Sequence, residues 1–290
     1  MNLGISLSGG GVKGAAHIGV LKAFSEVGID FNYISGTSSG SIVATLYAIG
    51  YTPDEIYYLF KKYCKEIKYV DYKNIIKGIL GLIFKRKIII DGLNNGNKIE
   101  EIINDACGAK NIKNINQIKK YLIIPSIDLY DGKIYIFSSK QNRNTYSNNM
   151  CYIYDMKIGK AVQASCSYPG VFSPCTYNNT KLIDGGIREN IPWKQIKING
   201  ADKVICVVFE KEIDKNKKNK NKNIIDVVSR SIDLLSYELS NYELAGADYI
   251  LKIKTKDIDL LDINKIDYLF NLGYEIGKKE IKKINFQNKK

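Results

Sequence analysis

The chain has 290 residues with a hydrophobic content of 45%, which is ordinary for a globular protein that buries a core. Its formal net charge of +13 is unusual and is typical of proteins with an anionic partner: nucleic acid, an anionic membrane surface or a charged substrate. A general bias toward lysine, asparagine and isoleucine is nevertheless the favoured explanation of that charge, with a functional basic face as the alternative.

The cysteine and histidine content excludes the common zinc centres. None of the six cysteines forms a CxxC pair, and the chain has a single histidine. Scattered single cysteines predict buried thiols in a reducing compartment. A nucleic-acid partner is not expected, because it would rest on charge alone, without a zinc finger or an alternation of aromatic and basic residues.

Strand and helix patterns alternate along the chain. The predicted elements are, in order, strand Leu3–Ser8, helix Val12–Val27, strand Phe31–Ser35, helix Ile42–Ile49, a helix begun by the capping box Thr52-Pro53-Asp54-Glu55, helix Gly96–Cys107, a hairpin of Tyr121–Tyr130 and Lys133–Ser139, helix Ile158–Ser165, strand Asp202–Phe209, helix Ile224–Leu244, strand Tyr249–Lys254 and helix Ile263–Ile284. This alternation predicts an α/β fold, a three-layer sandwich with a mostly parallel central sheet and helices on both faces.

No composition shift indicates a boundary between domains, so a single domain over residues 1–290 is predicted, with its chemical motifs within 3–210. The lysine- and asparagine-rich stretch 211–223 predicts an exposed flexible loop. Residues 224–290 are expected to complete the fold with a helix, a strand and a helix.

Any membrane association is predicted to be peripheral. The N-terminus has no basic segment followed by a long apolar stretch, so no signal peptide is expected. The most apolar window, Ile75 to Ile90, is interrupted by Lys85, Arg86 and Lys87 and falls short of the ~20 residues that span a bilayer. A lid, a basic contact with anionic lipid and an internal helix pair stay open as interpretations of this window. The predicted location is the cytoplasm, with contact at the inner membrane face as an option.

A glycine-rich loop, Gly9 to Gly14, lies between the first predicted strand and the helix after it. It fits G-x-G-x-x-G, and backbone N–H groups at such a helix start can hold a pyrophosphate or the oxyanion of an acyl transfer. A dinucleotide site requires an acidic residue at the end of the second strand, and none stands there. A phosphate-binding P-loop would need serine or threonine after Lys13, where the chain has glycine. A nucleotide-dependent enzyme is therefore disfavoured.

The second strand instead ends in Gly36-Thr37-Ser38-Ser39-Gly40, which fits G-x-S-x-G. That motif requires a strand, a sharp turn and a helix, and this is the predicted context. The flanking glycines allow a turn tight enough to expose the Ser38 hydroxyl. The sequence therefore predicts Ser38 as a nucleophile, with a serine-rich helix cap as the alternative.

A serine nucleophile needs a base, and two candidates stand out. His17, the single histidine, lies one turn into the predicted helix, where a structural hydrogen bond is favoured over catalysis. Asp184 ends a short apolar run and is followed by Gly185 and Gly186, which allow close approach to the serine turn. An ordinary Asp-Gly-Gly turn is the alternative at that position.

Three of these motifs, in order, resemble the patatin-like phospholipase family: Gly9-Gly10-Gly11-Val12-Lys13-Gly14, Gly36-Thr37-Ser38-Ser39-Gly40 and Asp184-Gly185-Gly186. The segments ASCSYPGVFSP at 164–174 and GGIRENIP at 185–192 also resemble segments that the family carries around its catalytic aspartate. The resemblance covers roughly residues 3–210 and is thin at 74–95. In size the chain is similar to the small bacterial members.

The resemblance implies a Ser–Asp dyad that works without histidine. Ser38 would attack an ester carbonyl, and Asp184 would take its proton and later activate water. The implied oxyanion hole lies in the loop Gly9–Val12, chiefly at the amides of Gly10 and Gly11. A carboxyl of ordinary pKa is a weak base at pH 7, so a partly desolvated setting is expected to adjust the pKa of Asp184.

The supporting motif positions implied by the resemblance are Lys13, Gly14, Gly36, Gly40, Gly185 and Gly186. Lys13 stands where the family has arginine or lysine, and it either supports the loop or favours anionic substrates. The resemblance implies no cofactor and no metal. The implied partner is a phospholipid or another acyl ester, and the oligomeric state is not indicated.

The leading hypothesis is therefore a serine acyl-ester hydrolase acting on lipids, of phospholipase A, lysophospholipase or esterase type. The alternative is a non-catalytic regulatory or adaptor protein on the same scaffold. The presence of both Ser38 and Asp184 argues against that alternative.

Overall fold

The computed structural model describes residues 1–67, 91–141, 148–210, 224–255 and 258–284. The apolar and basic window at 75–90 and the lysine-rich stretch at 211–223 lie outside these residues, so the interpretations given to both stay predictions.

Nine strands within the described residues form the central sheet, in the order β11-β10-β1-β2-β4-β5-β6, with β9 paired to β4 and β8 paired to β9. Their bounds are β1 Leu3–Leu7, β2 Tyr33–Gly36, β4 Tyr121–Asp128, β5 Ile134–Ser138, β6 Met150–Ile153, β8 Cys175–Tyr177, β9 Thr180–Asp184, β10 Lys203–Glu210 and β11 Tyr249–Lys254. A separate parallel pair consists of β3 (Gly92–Asn94) and β7 (Gly170–Phe172). The five strands from β11 to β4 are parallel, whereas β5 and β9 run antiparallel to β4.

The α-helices that the structure describes lie between these strands or after them along the chain. Their bounds are α1 Gly14–Glu26, α2 Ser39–Ala48, α3 Pro53–Glu66, α4 Asn97–Ala109, α5 Ile158–Ser165, α6 Trp193–Ile198, α7 Ile224–Glu243 and α8 Ile266–Ile281. The first residues of α3 form the predicted capping box, in which Thr52 accepts from the Glu55 amide and Glu55 accepts from the Thr52 amide.

Apolar side chains fill both faces of the sheet, because successive residues of a strand point to opposite sides. Ile5 and Leu7 belong to the larger cluster, which includes residues of α1 to α5 and α8. Val204 and Cys206 belong to the second cluster, with Trp193 of α6. This is the predicted α/β architecture, a mostly parallel sheet with helices on both faces.

Helices α1 and α8 cross in close backbone contact. A Cβ atom at Gly273 would lie 2.0 Å from the Ala16 carbonyl oxygen, and one at Gly19 would lie 2.0 Å from the Phe270 carbonyl oxygen. Neither position can hold a side chain without separating the helices. The crossing places α8 against the helix that follows the glycine loop.

Strands β2 and β9 meet end to end along one edge of β4. β2 pairs in parallel with the first residues of β4, and β9 pairs antiparallel with the last, setting Asp184 opposite Ser126. β5 pairs with residues Ile123 to Ile127 of β4, so it occupies the other edge. The carboxyl ends of β2 and β9 therefore point toward each other, which brings the turn after Gly36 close to Asp184.

Several predicted bounds are corrected by the structure. The helix predicted from Val12 begins at Gly14, because Gly11–Lys13 form a separate 3-10 turn. The helix predicted from Ile42 begins at Ser39, directly after the predicted nucleophile. The prediction of buried thiols is confirmed for five of the six cysteines; Cys151 is half-buried, and all six are free.

Candidate active site

Ser38 occupies a strained turn between β2 and α2. Its φ of 52° and ψ of −125° lie where residues other than glycine rarely go. A Cβ at Gly36 would lie 2.3 Å from the Gly40 carbonyl oxygen, and a Cβ at Gly40 would lie 2.3 Å from the Leu7 carbonyl oxygen. The two glycines therefore allow a turn too tight for side chains. The Ser38 amide donates to Ser165 Oγ at 3.1 Å, which holds the turn in place.

Asp184 ends β9 and is almost completely buried, with 2% of its surface exposed. Its Oδ1 accepts a hydrogen bond from the Gly186 amide at 2.8 Å. Its Oδ2 forms no hydrogen bond with any described residue. Burial raises the pKa of Asp184 to about 6, and the Ser38 side chain and the Gly186 amide oppose this rise. The structure thus brings the predicted nucleophile and the predicted base together.

The glycine loop lies directly against Ser38, since a Cβ at Gly9 would be 3.2 Å from Ser38 Cβ. The Gly9 amide donates to Asn190 Oδ1 at 2.9 Å, and the Val12 amide donates to the Leu260 carbonyl at 2.8 Å. Two of the four predicted oxyanion positions therefore have amides that are already engaged.

The amides of Gly10 and Gly11 form no hydrogen bond with another described residue. Gly11 has a φ of 58°, and a Cβ there would lie 2.2 Å from the Leu260 carbonyl oxygen. Only glycine fits this conformation and this space. Among the four positions predicted for the oxyanion hole, Gly10 and Gly11 are those whose amides have no hydrogen-bond partner among the described residues.

His17 is fully buried and forms its hydrogen bond with the backbone. Its Nε2 donates to the Ser8 carbonyl at 2.8 Å, and its ring centroid is 4.5 Å from that of Phe209. Burial lowers the pKa of His17 to about 4, so its imidazole is neutral at physiological pH. The favoured structural hydrogen bond is confirmed, and it fixes the backbone where the glycine loop begins.

The other supporting positions are packed around the same turn. Gly14 lets the start of α1 approach α2, since a Cβ there would lie 3.1 Å from Ser39 Oγ. Gly185 follows Asp184 and lies against β4, where a Cβ would be 2.6 Å from the Pro125 carbonyl oxygen. Lys13 is buried, with 5% exposed. The two glycines thus allow close packing on either side of the serine turn, Gly14 against α2 and Gly185 against β4.

Residues 189–191 also contact this junction, and sequence reasoning assigned them no role. Thr37 Oγ1 donates to the Glu189 carbonyl at 3.0 Å, while Asn190 accepts from Gly9. Both Asn190 and Ile191 donate their amides to the Glu243 carboxylate at 3.0 Å. The only sequence signal was the segment GGIRENIP, which lies next to Asp184 but does not show what it contacts.

Two partly buried carboxyl groups lie at this place: Glu189 of the segment itself and Glu243 at the end of α7. Loss of contact with water raises the pKa of Glu243 to about 7. The same cause, together with the charge of Glu243, raises the pKa of Glu189 to about 8. Lys194 opposes both shifts through its positive charge.

The fold and these residues define a class: an α/β protein with a strained serine turn at the carboxyl end of a parallel sheet, facing a buried aspartate. The family model described as Patatin-like phospholipase matches residues 5–196. The chain therefore belongs to the patatin-like phospholipase family, as the three motifs predicted.

The chain is similar in sequence to proteins of very different lengths. The uncharacterized protein YqhO of Bacillus subtilis is 30% identical over 73% of this chain and 73% of its own length. The uncharacterized protein R571 of Acanthamoeba polyphaga mimivirus is 30% identical over 97% of this chain and 94% of its own length. Lysophospholipase NTE1 of Debaryomyces hansenii is 28% identical over 71% of this chain, which spans only 12% of that protein.

Solved structures share the fold at low sequence identity. The ExoU–SpcU complex of Pseudomonas aeruginosa superposes with a TM-score of 0.55 at 18% identity, covering 98% of this chain and 51% of the other. VipD of Legionella pneumophila superposes with a TM-score of 0.53 at 14% identity, covering 97% of this chain and 67% of the other. Across the residues described for this chain, no helix is both long and apolar enough to cross a membrane.

Proposed function

We propose that the chain is a serine hydrolase of lipid acyl esters, with Ser38 and Asp184 as its catalytic residues. The observation that carries the proposal is a serine in a strained turn beside a buried carboxyl group, one oxygen of which has no hydrogen-bond partner among the described residues. The substrate class is supported by the family description and by relatives named lysophospholipases. Phospholipids, lysophospholipids and simpler acyl esters all fit this chemistry.

In the first half of the proposed reaction, Ser38 Oγ attacks the ester carbonyl carbon. Asp184 accepts the hydroxyl proton, and its raised pKa makes it a stronger base than an exposed aspartate while leaving it ionised above pH about 6. The amides of Gly10 and Gly11 donate to the oxyanion that forms. Removing one such donor typically costs ~2.7–4 kcal/mol of transition-state stabilisation.

In the second half, the protonated Asp184 gives its proton to the departing alkoxide, which leaves an acyl group on Ser38. Asp184 then takes a proton from water, the water attacks the acyl carbonyl, and Ser38 regains its proton as the fatty acid departs. No step needs His17, which is buried and hydrogen-bonded to Ser8. The buried position of Lys13 favours support of the loop over contact with substrate.

The proposed substrates would be met at a lipid surface. The basic and apolar window at 75–90 is the proposed contact with anionic lipid, from the cytoplasmic side of a membrane. This part of the proposal rests on sequence, since the window lies outside the described residues.

The test treats the wild type and three variants with a fluorophosphonate probe, a short-chain ester and a lysophospholipid. Ser38→Ala should lose labelling and hydrolysis. Asp184→Asn should hydrolyse the ester about 10²- to 10⁴-fold more slowly, the usual effect of losing a general base. Ser231→Ala, which changes an exposed serine on α7, is the matched control and should behave as the wild type. A folded wild type that neither labels nor hydrolyses contradicts the proposal.

A further inference from the structure

The backbone and side chains of residues 189–191, here called the 189–191 segment, join two parts of the proposed active site. The Glu189 carbonyl accepts from Thr37 Oγ1, one residue before Ser38. Asn190 Oδ1 accepts from the Gly9 amide, one residue before the proposed oxyanion donors begin. One short stretch thus contacts both the serine turn and the glycine loop.

Asn190 is held in one orientation by three hydrogen bonds. Its Oδ1 accepts from Gly9, its Nδ2 donates to Ser240 Oγ at 2.9 Å, and its own amide donates to Glu243 Oε1 at 3.0 Å. The bond from Gly9 shows which atom of the Asn190 side-chain amide is the oxygen, because a backbone N–H can only donate. The other atom, which faces Ser240, is therefore the nitrogen. Asn190 can therefore neither rotate nor shift without losing a partner.

The end of α7 supplies the anchor for this arrangement. The two oxygens of the Glu243 carboxylate accept from the amides of Asn190 and Ile191, and the Glu243 carbonyl accepts from Trp193 Nε1 at 2.7 Å. In its ionised form, which predominates above pH about 7, the Glu243 carboxylate holds this backbone segment more firmly than a neutral acceptor would.

We propose that Asn190 is a positioning residue that orients the Gly10 and Gly11 amides toward the reacting carbonyl, with Glu243 holding Asn190 in place. This inference rests on the proposed function. Successive glycines adopt many backbone conformations of similar energy. Three glycines in a row therefore need an external contact to stay in a single conformation. The bond from the Gly9 amide to Asn190 fixes the Ser8–Gly9 peptide plane, whose carbonyl accepts from His17, so the loop enters Gly10 from a fixed peptide group.

Close packing would transmit any displacement of Asn190 to the nucleophile. A Cβ at Gly9 would lie 3.0 Å from Asn190 Oδ1 and 3.2 Å from Ser38 Cβ, so the three residues are in contact. A shift of about 1 Å in a catalytic arrangement can lower a rate about 10²-fold. The loss of the Asn190 side chain should therefore lower the rate of the chemical step more than it weakens substrate binding.

The experiment measures kcat and KM for a short-chain ester, per active site counted by fluorophosphonate titration. Asn190→Ala should lower kcat about 10- to 100-fold while KM changes less than about threefold, because the oxyanion donors act mainly in the transition state. Glu243→Gln, which keeps one acceptor and loses the other, should give a smaller fall in kcat. Asn116→Ala, at an exposed asparagine, is the matched control and should leave both constants unchanged.

Trp193, the single tryptophan of the chain, reports whether each variant keeps the fold around Glu243. A kcat per active site that stays at the wild-type value in Asn190→Ala overturns the positioning role, even if less of the protein is folded. If Asn190→Ala does not fold, an unchanged kcat in Glu243→Gln overturns it instead. A wild type that reacts with the probe separates either result from a failure of the proposed function.

Discussion

Asp184 must be ionised for its proposed role as a base, but the ionised form of this buried carboxyl lowers the stability of the fold. Burial raises its pKa from the ordinary 3.8 to about 6, so the folded chain binds this proton more tightly than the unfolded chain. Stability is therefore lost as the pH rises from about 4 through 6, and the loss is complete above that range. Two pKa units correspond to about 3 kcal/mol.

Asp184→Asn should accordingly be more stable than the wild type by about 2–3 kcal/mol at pH 8, with the difference shrinking toward zero near pH 4. Asparagine does not ionise, and its Oδ1 can still accept from the Gly186 amide. Urea unfolding of both proteins at the two pH values measures the difference. Asp131→Asn is the control. The Asp131 carboxyl is exposed, and its hydrogen bonds with Lys133 lower its pKa, so this variant should show no such gain at pH 8. Equal stability of Asp184→Asn and wild type at pH 8 would show that the ionised Asp184 carboxylate does not destabilise the fold.

The residues that sequence reasoning could find are those with a local pattern. Ser38 lies in a turn that its neighbouring glycines make recognisable, and Asp184 is followed by two glycines. Asn190 and Glu243 carry no such pattern, because they meet only when the end of α7 packs against residues about fifty positions earlier. Long-range contacts of this kind follow from the three-dimensional arrangement alone.

At the level of elements, the crossing of α1 and α8 depends on the absence of side chains. Gly273→Ala would place a Cβ 2.0 Å from the Ala16 carbonyl oxygen, so the helices must separate. The expected loss of stability is about 1–3 kcal/mol, the usual range for overpacking. Thermal or urea unfolding of the variant and the wild type tests this.

Gly108→Ala is the matched control for that substitution. Gly108 is exposed near the end of α4, and a Cβ there would meet nothing within 4 Å. Alanine should leave stability unchanged or raise it by up to about 1 kcal/mol, since glycine is a poor helix former. A Gly273→Ala protein as stable as Gly108→Ala would contradict the close crossing.

The longer elements were predictable because each has a clear period in its apolar residues. Helix α5 and strand β11 have the bounds that the sequence predicts, and β4 and β5 pair in the predicted hairpin. The strands β3, β7 and β8 have three residues each, which is too short for alternation to be visible. The antiparallel pairing of β9 with β4 joins residues far apart in the sequence, so no local pattern predicts it.

For the whole molecule, the net charge of +13 predicts that the proposed contact with a lipid surface is electrostatic. Vesicles that contain anionic lipid should bind it, and binding should weaken as salt is added, because exposed charges are screened beyond about 8–10 Å at moderate ionic strength. Sedimentation with vesicles of phosphatidylglycerol and of phosphatidylcholine measures this. Equal binding to both kinds of vesicle would count against an electrostatic contact.

Two variants with the same charge locate the contact. Replacing Lys85, Arg86 and Lys87 by glutamine removes three charges from the apolar window, and replacing Lys217, Lys218 and Lys220 removes three from the lysine-rich stretch. The first variant should bind anionic vesicles more weakly than the second, since apolar burial adds to the charge only in the window. Equal loss in both would leave total charge as the sole cause.

The meeting of β2 and β9 along β4 also determines when the site forms during folding. The contact of Thr37 with Glu189 joins residues 152 positions apart, and that of Gly9 with Asn190 joins residues 181 apart. Contacts so distant form later than local helices, because a long loop must close first. Until β9 has joined β4, Ser38 lacks its proposed base and the glycine loop lacks its contact with Asn190. A nascent chain should therefore lack the proposed activity at least until residues 184–190 have been synthesised.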